Sequence, residues 1–225
     1  MKWLGIDLEV NKLNDGNGVW NCGIALFSGR QTLDHYNIFC EEFWSQDEKN
    51  GYGAKYNKTR DGLRHARRPV WVETAADMDC LVSSILLGWK FSRSFGYNSS
   101  VFDLGKMANT MPLSLALVQK KPHLDLMPLA QAHLLGRKSY RAYWEAQVKA
   151  GNTNEGNPEF CKFGAELVLN YIADLRTDGW KWKNEEHIGC EDLIDFEYPI
   201  LHYFTRILKK AKPVNAGKPF RKWEE

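Results

Sequence analysis

Asp7 and Glu9 stand two residues apart in the apolar stretch Trp3-Leu4-Gly5-Ile6-Asp7-Leu8-Glu9-Val10. In a β-strand, residues i and i+2 share a face. The two carboxylates should therefore project together, with Leu4, Ile6, Leu8 and Val10 facing the other way. Carboxylates this close repel each other unless a cation lies between them or one holds a proton. Hard divalent cations take oxygen ligands, and magnesium is commonly held by one or two carboxylates together with substrate phosphate. The spacing points to a divalent-metal site on the first strand. The plain alternative is a half-buried strand with a polar face, because Asp-x-Glu is a short pattern.

Three further residues could join such a site. Asp103 closes Asn98-Ser99-Ser100-Val101-Phe102-Asp103, where a strand gives way to a helix. Asp192 opens the last amphipathic segment, and His187 precedes it by five residues in His187-Ile188-Gly189-Cys190-Glu191-Asp192. Taken singly, each has an ordinary role. An Asp in a first helical turn serves the helix dipole, and an isolated His in a polar loop is usually solvated.

In this order, the motifs resemble those of the DnaQ-like 3′–5′ exonucleases of the DEDDh type, over residues 2–210. The third motif is the most specific, and Ile188 stands where a tyrosine-type relative would carry Tyr. The second motif departs from the family's usual His-Asn-Ala-x-Phe-Asp by beginning Asn98-Ser99. Gly189 meets the family's small residue two after the His, and Leu124-Asp125-Leu126-Met127 is a counterpart of its downstream strand.

The resemblance implies an α/β, ribonuclease-H-like mixed sheet with helices on both faces. It also implies a metal-dependent exonuclease that hydrolyses phosphodiester bonds from the 3′ end of single-stranded nucleic acid, DNA slightly before RNA. Two Mg²⁺ or Mn²⁺ ions about 3.5–4 Å apart would clamp the attacking and leaving oxygens. Asp7, Glu9, Asp103 and Asp192 would be the ligands, with Asp7 bridging. His187 would be the general base, a role suited to its unperturbed pKa near 6.5. The terminal nucleotide would lie along the first strand near Glu9, Val10 and Asn11, with Asn98 and Phe102 as further substrate contacts. The expected partners are DNA or RNA 3′ ends, and a polymerase or other replication protein is a candidate. Two alternatives stay open: a catalytically silent nucleic-acid or protein-binding module on the same fold, and a metal-dependent endonuclease.

The rest of the chain must position these groups. Its 225 residues, 44% hydrophobic and 13% aromatic, suit one domain at residues 1–210. A net charge of +2, from 30 basic and 28 acidic residues, excludes a general polyanion coat and leaves local contacts. The five cysteines form no Cys-x-x-Cys pair, which argues against a disulfide framework or structural zinc and for a reducing, cytoplasmic setting. Asp7 and Glu9 interrupt any apolar signal core, and no run of 18 apolar residues exists to span a membrane. Oligomeric state is left open.

Residues 3–10, 19–27 and 32–40 read as an antiparallel meander, with turns at 11–18 and 28–30. Residues 41–68 read as an inserted loop with Tyr52, Tyr56, Lys58, Arg60, Arg64, Arg67 and Arg68. That loop is either a solvated surface or a flap that grips phosphates and bases. The periodicity predicts a helix over 74–89, capped by Thr74, with Asp77 and Asp79 at its positive end. Strands follow at 91–97 and 123–126, a helix begins within 99–109, and further helices lie at 128–135 and 160–174. The last element, 191–210, sets Leu193, Phe196, Ile200, Phe204, Ile207 and Leu208 on one face, and Pro199 should kink it. Residues 211–225 read as a basic, flexible tail.

Overall fold

A computed structural model of the protein describes residues 1–11, 18–44, 66–97, 99–100, 102–126, 129 and 189–210. The expected helices at 128–135 and 160–174, the bulk of the 41–68 loop and the tail lie outside the described residues.

Three long strands, β1 (Lys2–Asn11), β2 (Gly18–Ser28) and β3 (Gln31–Cys40), form the expected antiparallel meander. Three short strands, β4 (Pro69–Val72), β5 (Arg93–Gly96) and β6 (His123–Asp125), extend it in parallel, β4 beside β3, β5 beside β1 and β6 beside β5. The described residues thus build an α/β fold around one six-stranded mixed sheet, ordered β4-β3-β2-β1-β5-β6. Parallel neighbours need crossover connections. For the neighbours β5 and β6 the crossover is α2 (Asp103–Thr110) with α3 (Pro112–Val118), while α1 (Ala75–Gly88) leads from β4, beside β3, to β5, beside β1.

Side-chain alternation separates two cores. Leu4, Ile6 and Leu8 of β1 join Cys22, Ile24 and Leu26 of β2 on one face, beneath Met78, Val82 and Leu86 of α1 and Met107, Met111 and Val118 beyond. On the other face, Ala25, Phe27 and Phe95 pack under Leu193, Ile200, Leu201 and Phe204 of the final helical stretch. Central β2 is buried on both faces and carries no charge, as a covered strand should. Gly5 makes room for this second layer, because a Cβ there would lie 2.9 Å from both Leu193 Cδ2 and Phe95 Cζ. A smaller cluster of Trp20, Phe39 and Trp44 closes one end of the sheet. The register between β1 and β2 shifts between Glu9 and Val10, where β2 holds the extra residue Trp20.

Helix α1 starts as expected: the Thr74 side chain accepts from Asp77 N–H and the Asp77 carboxylate accepts from Thr74 N–H, a reciprocal capping box. Asp79 does something else. It is buried, and its carboxylate accepts from the Leu113 and Ser114 main-chain N–H groups at 2.9 and 2.8 Å and from Ser114 Oγ at 2.6 Å. It caps α3 rather than serving the dipole of its own helix. Neither α3 nor β4 was marked by periodicity, since both run for seven residues or fewer.

The final stretch is irregular ahead of Pro199. It opens as a short turn, α4 (Cys190–Asp192), widens into a π turn over Leu193–Glu197, and continues as α5 (Tyr198–Lys210). Proline has no N–H to give and its ring crowds the carbonyl four residues back. The chain answers by widening one turn, with Tyr198 N–H reaching back five residues to Leu193 O. Tyr198 then stacks on Phe27, with ring centroids 3.8 Å apart, and donates its hydroxyl to Gly29 O at 2.7 Å. Among the described residues no helix is long and apolar enough to cross a membrane.

Candidate metal centre

Asp7 and Glu9 lie on the β1 face that carries the final helical stretch, opposite Leu4, Ile6 and Leu8. Asp192 meets them there. One ligand oxygen from each of Asp7, Glu9 and Asp192 lies within 4.8 Å of the other two. A single divalent ion could be shared by all three.

The approach of α4 to the sheet produces this meeting. Gly23 is the register partner of Asp7. A Cβ on Gly23 would overlap the main chain of Gly189 and Cys190. Gly189 itself sits at φ 52°, in the left-handed region that favours glycine, and a Cβ there would overlap Oδ1 of both Asn21 and Asn37. Fully buried Asn37 holds the turn: its Oδ1 accepts from Cys190 N–H at 2.9 Å and its Nδ2 donates to Glu191 at 2.6 Å. Arg67 closes the other side, donating its main-chain N–H to Glu191 at 2.5 Å and its guanidinium to Asp195 at 2.9 Å. Arg68 pairs with Asp34 and lies over the Tyr36 ring. These two arginines of the expected basic loop are therefore engaged within the fold. Tyr52, Tyr56, Lys58, Arg60 and Arg64 lie outside the described residues.

Asp103 stands at the start of α2, beyond the carboxyl end of β5. The β1–β5 ladder runs only from Trp3 to Gly5, and farther along β1 the Asp103 carboxylate accepts from Leu8 N–H. The connecting loop is pinned from β6. Asp125 accepts from the Ser100 N–H at 3.0 Å and from its hydroxyl, and His123 bridges Ser94 Oγ at 2.9 Å and Ser99 Oγ at 2.7 Å. Burial lowers the His123 pKa.

Burial raises the Asp7 carboxyl well above its usual range, and the neighbouring charges of Asp192, Glu197, Glu9 and Asp103 push it further. Asp103 is raised by burial and then by Glu9 and Asp125. Asp7 Oδ2 is a buried oxygen with no hydrogen-bond partner. Concentrated, desolvated negative charge with an unfilled acceptor is the donor set that a hard divalent cation satisfies, so these residues fit such an ion.

The remaining expected site residues fall as follows. His187 and Asn98 lie outside the described residues. Val10 packs its side chain against the first core, away from the acids. Its expected substrate contact is left to the main chain, because the strand alternates. Asn11 ends β1 opposite Gly18. Phe102 is 39% exposed beside Asp103, with Lys106 Nζ 5.7 Å from its ring centre. The described cysteines, Cys22, Cys40, Cys80 and Cys190, are free thiols.

Reading the sequence missed Glu197, a buried carboxylate that acts on Asp7. A signal was present. Glu197 falls in the stripe Leu193, Glu197, Ile200 and Phe204, spaced four, three and four, where a core-facing helix is apolar. Asn37 and Gly23 carried no such mark.

No protein-family model matches the chain, and no curated protein matches it significantly.

Proposed function

We propose that the protein is a metal-dependent 3′–5′ exonuclease acting on single-stranded nucleic acid. The observation that carries this reading is the convergence of Asp7, Glu9 and Asp192, whose ligand oxygens lie within 4.8 Å of one another. The strand order β3-β2-β1-β5-β6, antiparallel and then parallel, supports a ribonuclease-H-like fold. The acids lie beyond or near the carboxyl ends of β1 and β5, where open α/β sheets bind ligands.

Asp7, Glu9 and Asp192 would hold a Mg²⁺ or Mn²⁺ ion, with Asp103 beside it. Bound there, such ions supply charge stabilisation for the displaced oxygen and a nucleophile at neutral pH. The protein's own groups do the rest. The Gly23–Gly189 approach and the Asn37 bonds fix Asp192 over β1. The Asp125–Ser100 bonds fix the loop that carries Asp103. Phe102 offers an exposed ring on which an unpaired base can stack. His187 would accept the proton of the attacking water.

The test is a time course on 3′-labelled and 5′-labelled single strands of DNA and RNA of one sequence, with Mg²⁺, Mn²⁺ or EDTA. Asp7→Ala and Asp192→Ala run beside the wild type. A metal-dependent ladder shortening from the 3′ end, absent in both variants, is expected. Binding without cleavage would transfer the reading to a silent binding module. Cutting of a circular strand would transfer it to an endonuclease.

A further inference from the structure

His123 of β6 is the register partner of Ser94 of β5. Both of its ring nitrogens are engaged: Nδ1 lies 2.9 Å from Ser94 Oγ, and Nε2 lies 2.7 Å from Ser99 Oγ. Ser94 and Ser99 are fully buried. A neutral imidazole donates from one nitrogen and accepts at the other, so it links two hydroxyls and strands neither. A protonated ring could only donate, and burial disfavours that form. The Ser94 bond orients the ring within the sheet, and its second nitrogen reaches the loop that follows β5.

Ser99 is where that loop meets both β1 and α2. Gly96 leaves room for it, because a Cβ there would lie 2.5 Å from Ser99 Cβ and 2.9 Å from Ile6 O. Ile6 immediately precedes Asp7. On its other side, Ser99 O accepts from Leu104 N–H at 2.9 Å. Helix α2 has no side-chain cap, so this carbonyl satisfies one of the donors left open at its start. Asp103 begins the same turn, and its carboxylate accepts from the N–H of Leu8, the residue between Asp7 and Glu9. The position of Ser99 therefore sets where α2 begins against β1.

We propose that His123 is a positioning residue of the metal centre, acting through the Ser99 hydroxyl to hold Asp103 against β1. Asp125, two residues on along β6, takes the neighbouring Ser100 N–H at 3.0 Å, so β6 grips the loop at consecutive residues. This rests on the metal-centre reading above, in which Asp103 stands beside the ion.

The experiment is a calorimetric titration of the full chain with Mn²⁺ alone, without nucleic acid. The samples are wild type, His123→Asn, His123→Gln, Ser99→Ala and Asp103→Asn, each checked for folding by circular dichroism. A side-chain amide donates and accepts, as a neutral imidazole does. The Asn amide reaches only the place of Nδ1, whereas the Gln amide reaches that of Nε2. Positioning through Ser99 predicts that His123→Asn and Ser99→Ala each weaken Mn²⁺ binding by about tenfold, as loss of a supporting hydrogen bond does. His123→Gln should restore what His123→Asn loses. Equal weakening in His123→Gln and His123→Asn would make His123 part of the packing alone and overturn the inference. Wild-type binding in His123→Asn or Ser99→Ala, beside weakened binding in Asp103→Asn, would overturn it and leave the metal centre standing. Wild-type binding in Asp103→Asn would overturn it together with the place of Asp103 at the centre. No Mn²⁺ binding by the wild type would overturn the metal-centre reading and the inference with it. If His123→Asn fails to fold, Ser99→Ala and His123→Gln decide: weakened binding in the first with wild-type binding in the second supports the inference, and any other pair of results overturns it.

Discussion

The main chain at Gly189 rests directly on Gly23, leaving no space for a side chain at either position. Gly23 pairs with Asp7 across β1 and β2, and Asp192 follows Gly189 by three residues. Two hydrogen atoms in place of two methyl groups therefore set how close the third acid comes to the first two. Gly23→Ala should lower stability by about 1–3 kcal/mol, because the overlapping atoms are main chain and cannot swing aside. It should also weaken Mn²⁺ binding although no ligand has changed. Urea unfolding and a Mn²⁺ titration check both effects, and wild-type values in each would show that the turn can lift without consequence.

The acidic cluster makes the metal-free protein sensitive to pH. Asp7, Asp103 and Glu197 are all raised above the ordinary carboxylate range, by burial first and by neighbouring charges second. The folded state therefore holds protons that the unfolded chain has released. Their stabilising contribution is complete below the ordinary carboxylate values, near about 4. It is lost as pH rises through the raised folded values. In EDTA, the melting temperature of wild type relative to Asp7→Asn should fall as pH rises above about 4. Added Mg²⁺ should reverse the fall, since a bound cation favours the charged carboxylates. A difference that is flat with pH in EDTA would contradict the buried geometry of Asp7.

Asp79 offers a control on the opposite face of the sheet. Its carboxylate takes both N–H groups at the start of α3 and the Ser114 hydroxyl. Asp79→Ala should cost about 1–3 kcal/mol through the lost cap and the buried donors left without a partner. Mn²⁺ affinity should be unchanged. Thermal melts and the same titration separate these outcomes, and a change in metal affinity would reveal coupling between the two layers.

His187→Ala should lower the rate of 3′-end shortening by roughly 10²–10⁴ while leaving Mn²⁺ affinity intact, as removal of a general base does. Loss of Mn²⁺ binding would recast His187 as a ligand.

Local pattern was enough for much of this protein. Alternation along β1 set Asp7 and Glu9 on one face and Leu4, Ile6 and Leu8 on the other. The strand patterns on either side of Ser28–Arg30 made β2 and β3 a hairpin, and Thr74 with Asp77 started α1. Each depends on neighbours within a few residues, whose side-chain directions follow from backbone geometry alone. The tertiary structure decided what depends on residues far apart in the chain. Short β4 exists because β3 gives it a parallel partner. Asp79 finds α3 thirty-four residues on. Asn37 holds Cys190 across 153 residues, and Gly189 needs Gly23 beneath it. The turn over Leu193–Glu197, just ahead of Pro199, widened by one residue, a change that a regular helical period conceals.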